Sequence, residues 1–152
     1  MFTVLVHGAT VLSTIIVFWK EIKQIAIGVL KFKYNKDMKF FLHIVVSMIP
    51  VGIIGVFFKS DVEAFFSGKI VFVASMLMIT GFMLAATHFI KPESKTGEIN
   101  YLKALIIGLA QAFAVLPGIS RSGATIATAL IVGVEKKEAT RFAFLMVIVP
   151  IL

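Results

Sequence analysis

The chain has 152 residues, of which 59% are hydrophobic and 15% charged, against roughly 45–50% apolar and about 25% charged in soluble domains. That balance excludes an ordinary soluble domain, and the lack of cysteine excludes a disulfide framework and any cysteine-based metal site. The net charge of +7 does not point to nucleic acid, because the basic residues lie between apolar runs, as the positive-inside rule expects.

Residues 2–19 form the first apolar run, uncharged and ending at Trp19, a residue favoured at membrane interfaces. No basic n-region or A-x-A-like site precedes or follows it, so no cleavable signal is expected. Residues 20–39 carry six lysines against Glu21 and Asp37. Within them, "IAIGVLKF" predicts an amphipathic piece on the membrane surface. Residues 40–58 form a second span with Pro50 and Gly52 in its interior, which predicts a kink. A short, charge-balanced loop covers 59–69, and a third span covers 70–90. The loop 91–103 contains Pro92 and Gly97.

The pattern then changes. Residues 104–116 and 124–134 are apolar, but each is too short to span. As helix they would reach only about 16–20 Å at 1.5 Å per residue, against about 30 Å of hydrocarbon. Between them stands "PGISRSG". By lysine and arginine count, loop 20–39 nets +4, loop 59–69 nets zero, and loops 91–103 and 135–141 each net +1. Loop 20–39 is thus placed on the cytoplasmic side, loop 59–69 outside, and both flanks of the interrupted segment inside. The expectation is a re-entrant helical hairpin over about 104–134, of the broken-helix kind that marks binding sites in transporter-like folds. A further span begins at 142 and reaches residue 152 after about two-thirds of the length a crossing needs. Met1 opens directly onto the first run. The fold expectation is an all-α, polytopic membrane protein forming one integral-membrane domain, truncated at both ends.

The chemistry concentrates in the interruption. Pro117 closes the first half-helix, and Gly118 permits a sharp turn. Ser120 and Ser122 are natural N-caps. Gly123 lets a ligand approach the backbone where the next helix offers free N–H groups and the positive end of its dipole. Arg121 adds a permanent charge and a planar donor fork matched to phosphate oxygens, and Thr125 adds a hydroxyl. Together these predict a phosphate cradle. A turn of sequence Ser-Arg-Ser-Gly is a common surface feature in soluble proteins; inside an apolar segment, an arginine is instead a functional hypothesis by default. Small residues on both sides (Gly108, Ala110, Ala112, Ala114, Ala124, Ala127, Thr128, Ala129) favour close helix packing. Gln111 either hydrogen-bonds into the site or serves as interhelical glue; the sequence leaves both open.

Other polar residues are weaker signals. His7, beside Gly8 and Thr10, could face the site but is read first as a packing or interface histidine, and His43 and His88 are read as interfacial. Ser13, Thr14, Ser47, Ser75 and Thr80 are expected to be satisfied within their own helices. No G-x-x-x-x-G-K-[ST] or H-E-x-x-H occurs, and every Asp and Glu lies in a loop. The residues themselves therefore offer no metal site and no general acid or base.

"LPGISRSGATI" resembles the signature of the undecaprenyl-diphosphate phosphatases, the bacitracin-resistance family. The likeness extends through "GLAQAFAVLPGISRSGATIATALIVGV", "EATRFAFLMVIVPIL" and "FTVLVHGATVLSTIIVFWKEI", and so covers the whole chain. It implies a multi-pass enzyme of the bacterial inner membrane with an inverted-repeat fold. The implied reaction hydrolyses undecaprenyl diphosphate to undecaprenyl phosphate and inorganic phosphate. That step recycles the lipid carrier for peptidoglycan synthesis and confers bacitracin resistance. The resemblance places Ser120, Arg121 and Thr125 on the family's catalytic, phosphate-binding motif. Ser122 and Gly123 join them in binding, and Pro117 and Gly118 shape the turn. It also implies a divalent cation, Mg or Ca. The cation's acidic ligands, together with an E/Q-x-x-x-E motif and a Ser-x-x-Gly-His loop, are expected in a part N-terminal to this chain. The piece alone is accordingly expected to be inactive. The lipid and the bilayer are the implied partners, with a second copy of the chain as a candidate. The rival function is a membrane carrier or non-catalytic binder of a phosphorylated lipid or anion.

Overall fold

The computed structural model describes residues 1–90 and 97–151, with side chains up to residue 148. The described residues form helices α1 (Phe2–Val17), α2 (Trp19–Leu30), α3 (Lys36–Phe57), α4 (Lys59–Phe65), α5 (Ile70–Thr87), α6 (Tyr101–Phe113), α7 (Arg121–Ile131) and α8 (Lys136–Ile151), and no strand. The chain is thus an all-α, multi-pass membrane protein. Helices α3 and α5 are each long and apolar enough to cross a bilayer. α1 and α2 meet that test only as a pair, and they are bent by 74° at Phe18.

Several boundaries differ from the sequence expectation, each for a local reason. Trp19 opens α2 rather than closing a span, because the chain turns at Phe18, whose ring stacks on Phe144 of α8 at 5.7 Å. The amphipathic piece is therefore a full helix of 12 residues. The polar stretch 59–69 contains α4, whose Lys59 and Glu63 lie 4.0 Å apart at helical spacing. Charge alone did not break the helix. For the same reason α8 begins at Lys136 and not at 142: Lys-Lys-Glu-Ala is a good helix-forming start, and the Ala139 amide already donates to the Glu135 carbonyl at 2.8 Å. α3 runs as one helix through Pro50, which is buried. Of the loop expected at 91–103, residues 91–96 with Pro92 lie outside the described residues, and α6 already begins at Tyr101.

Packing is tightest where side chains are smallest. α6 lies so close to α3 that a Cβ on Gly108 would collide with the Ser47 carbonyl oxygen. With lipid outside, helices associate through such van der Waals contact. The core around them includes Ile44, Ala104, Ile107, Ala129, Phe142 and Met146. Phe142 meets Phe40 edge-on at 5.7 Å. Asn35 and Asn100 cap α3 and α6 by accepting from the Met38 and Lys103 amides at 3.0 and 2.8 Å.

The hairpin closes on itself. Gly133, at φ +94°, ends α7 in a Schellman arrangement: the Val134 amide donates to Ala129 at 2.9 Å and the Gly133 amide to Leu130 at 3.1 Å. Val134 then forms an isolated parallel bridge with Gly97, just before α6. A Cβ on Gly97 would strike the Gly133 carbonyl. The segment entering α6 and the segment leaving α7 thus lie side by side.

Candidate phosphate site at the hairpin turn

The turn 114–120 joins α6 to α7 and docks on α5. Gly118 has φ +96°, a conformation that disfavours any side chain, and a Cβ there would collide with the Val73 carbonyl oxygen. Pro117 beside it is buried. The Ser120 amide donates to the Thr80 hydroxyl of α5 at 3.3 Å, and that hydroxyl in turn donates to Met76 at 3.1 Å. Thr80 is 4% exposed, so the acceptor side of this bond is buried, while Ser120 itself is exposed. The Ser120 hydroxyl accepts from the Gly123 amide at 3.2 Å, which makes Ser120 the N-cap of α7. Ser122 sits 3.4 Å away, hydroxyl to hydroxyl. Gly123 is buried against Thr80 and Ser120, whose atoms would lie 3.1 Å from an added Cβ.

Arg121 is the first residue of α7 and half-buried. Among the described residues its guanidinium has no hydrogen-bond or ion-pair partner; the recorded ion pairs are Lys59–Glu63 and Arg141–Glu138. The amides of Arg121 and Ser122 precede the first possible intrahelical acceptor and so remain available to a ligand. The end of the helix is therefore doubly positive, from the charge and from the dipole.

Arg121 and Ser122 line a cavity of about 490 Å³, together with Pro117 and Gly118 of the turn, His7, Thr10 and Thr14 of α1, Phe66, and Phe144, Val147 and Ile148 of α8. Ser120 is exposed nearby. Thr125 is brought to a different place. It is fully buried, and its hydroxyl donates to the Arg121 and Ser122 carbonyls at 2.9 and 3.1 Å, within its own helix. Gln111 is 1% exposed and makes neither of its expected contacts: its amide oxygen and nitrogen have no partner among the described residues.

Two residues were assigned differently from sequence. His7, expected in a packing or interface role, stands on the cavity wall. Thr80 is satisfied within its own helix as expected, but it also holds the Ser120 amide. Its signal in the sequence was only that of a polar residue in an otherwise apolar span. Ser13, Thr14, Ser47 and Ser75 each donate to a carbonyl of their own helix, as expected.

A divalent cation does not fit the residues of this cavity. Its wall carries no carboxylate, and among the described residues no group of three or more His, Asp or Glu side chains could hold a metal.

Comparison with known proteins follows the same residues. The family profile described as "Bacitracin resistance protein BacA" matches residues 1–152. A protein of Bacteroides fragilis named undecaprenyl-diphosphatase is 50% identical over 99% of this chain and 56% of its own length. One of Bacteroides thetaiotaomicron with the same name is 51% identical, over 99% of this chain and 57% of its own length. A more distant one, from Methanococcus vannielii, is 45% identical over 92% of this chain and 56% of its own length. The chain thus spans a little over half the length of these curated relatives.

Proposed function

The chain belongs to the bacitracin resistance protein BacA family, and we propose that the full-length protein hydrolyses undecaprenyl diphosphate. Water adds to the terminal phosphorus, the bridging oxygen departs with undecaprenyl phosphate, and inorganic phosphate is released. The curated relatives carry the name undecaprenyl-diphosphatase. The observation that carries the proposal is Arg121 at the N-terminus of α7, without a partner among the described residues and set in a cavity between apolar helices. A cation left without a partner in such surroundings is costly unless an anion completes it. A diphosphate head does so, while Val147, Ile148 and Phe144 offer an apolar wall to the prenyl chain.

In this reading Arg121 clamps phosphoryl oxygens with its donor fork, and the Arg121 and Ser122 amides add the helix-terminal donors. Charge develops on those oxygens and on the bridging oxygen as the bond breaks, so donors fixed beforehand stabilise the transition state more than the bound substrate. Ser120 and Gly123 shape the cradle, with Ser122 on its wall. Thr125 acts by holding the Arg121 and Ser122 carbonyls, and therefore the first turn on which the donors sit. Acidic ligands for a divalent cation would come from elsewhere than the described residues.

The hairpin is assigned a re-entrant path. α6 has 13 residues and α7 has 11, so each reaches only about 16–20 Å, and their outer ends meet at the Gly97–Val134 bridge. Entry and exit on one side of the membrane follow naturally. The bacterial inner membrane, where the lipid carrier serves peptidoglycan synthesis, is the assigned location, and bacitracin resistance the expected phenotype of the activity.

The test is phosphate release from undecaprenyl diphosphate in detergent, using the full-length protein encoded by the reading frame that contains residues 1–152. Release by the parent, and a loss of about a hundredfold or more in kcat for Arg121→Ala with an unchanged melting temperature, is the expected outcome. Lipid binding by the parent without any release would instead identify a carrier or binding protein.

A further inference from the structure

Of the five polar side chains of α1, four (Thr3, His7, Thr10 and Thr14) fall within an arc of about 60° at 3.6 residues per turn, and Ser13, which donates to the Ala9 carbonyl, lies outside it. Three of these four, His7, Thr10 and Thr14, line the cavity that holds Arg121. A membrane helix has no reason to gather its polar side chains on one face unless that face meets something polar.

The three are not equivalent. The Thr10 and Thr14 hydroxyls donate to the Val6 and Thr10 carbonyls, each at 2.8 Å, so their protons are engaged within the helix. His7 places Nδ1 2.8 Å from the Thr3 carbonyl oxygen. A carbonyl only accepts, so Nδ1 carries a proton and the ring orientation is fixed. Nε2 has no partner among the described residues. The cavity wall contains no titratable group besides His7 and Arg121: the residues from the turn, from Phe66 and from α8 are apolar or uncharged.

We propose that His7 is a second binding residue for the diphosphate head, its Nε2 contacting a phosphate oxygen across the cavity from Arg121. This rests on the function proposed above. A diphosphate carries more negative charge than one guanidinium offsets. With Nδ1–H held by Thr3, a proton on Nε2 yields an imidazolium whose two N–H groups are both engaged, one by the carbonyl and one by the phosphate. If the facing phosphate oxygen is itself protonated, neutral Nε2 accepts from it instead, so either proton arrangement leaves one hydrogen bond in place.

The test compares the full-length parent with His7→Ala, His7→Gln and Arg121→Ala, using undecaprenyl diphosphate in detergent, with kcat, KM and melting temperature measured for each. His7→Ala is expected to raise KM by about tenfold, the loss of one charge-assisted contact, with kcat falling less than in Arg121→Ala and melting unchanged. His7→Gln, which keeps an N–H donor at similar reach, is expected to recover part of that KM. If His7→Ala leaves kcat and KM within about twofold of the parent while Arg121→Ala collapses, the proposal is overturned and the enzymatic function stands. Loss of the melting transition in both His7 variants also overturns it, since the histidine is then structural. A parent that releases no phosphate rejects the function itself.

Discussion

The α6–α7 hairpin and helix α1 both line one cavity, and they are held there by different means. The hairpin is fixed by other elements. Gly118 presses on the backbone of α5, the Ser120 amide is bonded to Thr80, Gly108 lies on α3, and Ala104, Ile107, Ala127 and Ala129 are fully buried. α1 has no buried residue at all, and each of its side-chain hydrogen bonds returns to its own backbone. Its junction with α2 is tied to α8 through the Phe18–Phe144 stack. One wall is therefore fixed by close backbone packing and a hydrogen bond between elements, and the other by lighter contacts with α2 and α8. Under the proposed function, a site that grips a charged head and also admits a long prenyl chain would benefit from that division, with the donors for developing charge on the more tightly packed wall.

The strongest way to break this contrast is at Gly118. Alanine there meets both an unfavourable positive φ, worth about 1–2 kcal/mol, and the Val73 carbonyl. Gly118→Ala is expected to destabilise the full-length protein by more than about 2 kcal/mol, read as a lowered melting temperature in detergent, with activity lost alongside. Unchanged melting would mean that the turn does not dock on α5 as described.

Next in size is Thr80. Valine keeps the shape but removes the acceptor of the part-buried Ser120 amide, which should cost about 0.5–1.5 kcal/mol. Serine keeps the hydroxyl and should restore most of it. The order parent, Thr80→Ser, Thr80→Val in melting temperature is the expected result; equal values for the two variants would show that the α5–turn bond contributes nothing.

These two residues also mark the limit of what the sequence discloses. Pro117, Gly118 and the Ser120 cap could be read directly, because a helix break and an N-cap are local events with local residue signatures. Arg121 could be singled out because an arginine inside an apolar segment demands an explanation. Thr80 could not, since its bond to Ser120 spans 40 positions and nothing in "SMLMITG" announces it. His7 could be named as able to face the site but not chosen over a packing role, for a similar reason: only the fold brings α1 against the hairpin turn. The helices misplaced from sequence, α4 and the first turns of α8, are charged segments treated as loops, whereas Lys-Glu spacing at four residues supports a helix as well as any apolar run.

Thr125 supplies the smallest and most discriminating test. It belongs to the hairpin, yet it behaves like the threonines of α1, bonding only to its own helix through the Arg121 and Ser122 carbonyls. A hydroxyl bonded in that way adds little net stability, so Thr125→Val should shift the fold by less than about 1 kcal/mol. Its effect on catalysis should still exceed its effect on stability. The carbonyls it holds belong to the residue carrying the guanidinium and to the one beside it, and a displaced clamp loses rate without any loss of fold. About a tenfold fall in kcat/KM is expected, smaller than for Arg121→Ala, with Thr125→Ser close to the parent. A fall as large as that of Arg121→Ala, at unchanged melting temperature, would show that the Thr125 hydroxyl leaves its carbonyls and reaches the phosphate itself. In that case the hairpin wall, too, moves when the lipid binds, and the two sides of the cavity differ less than their packing indicates.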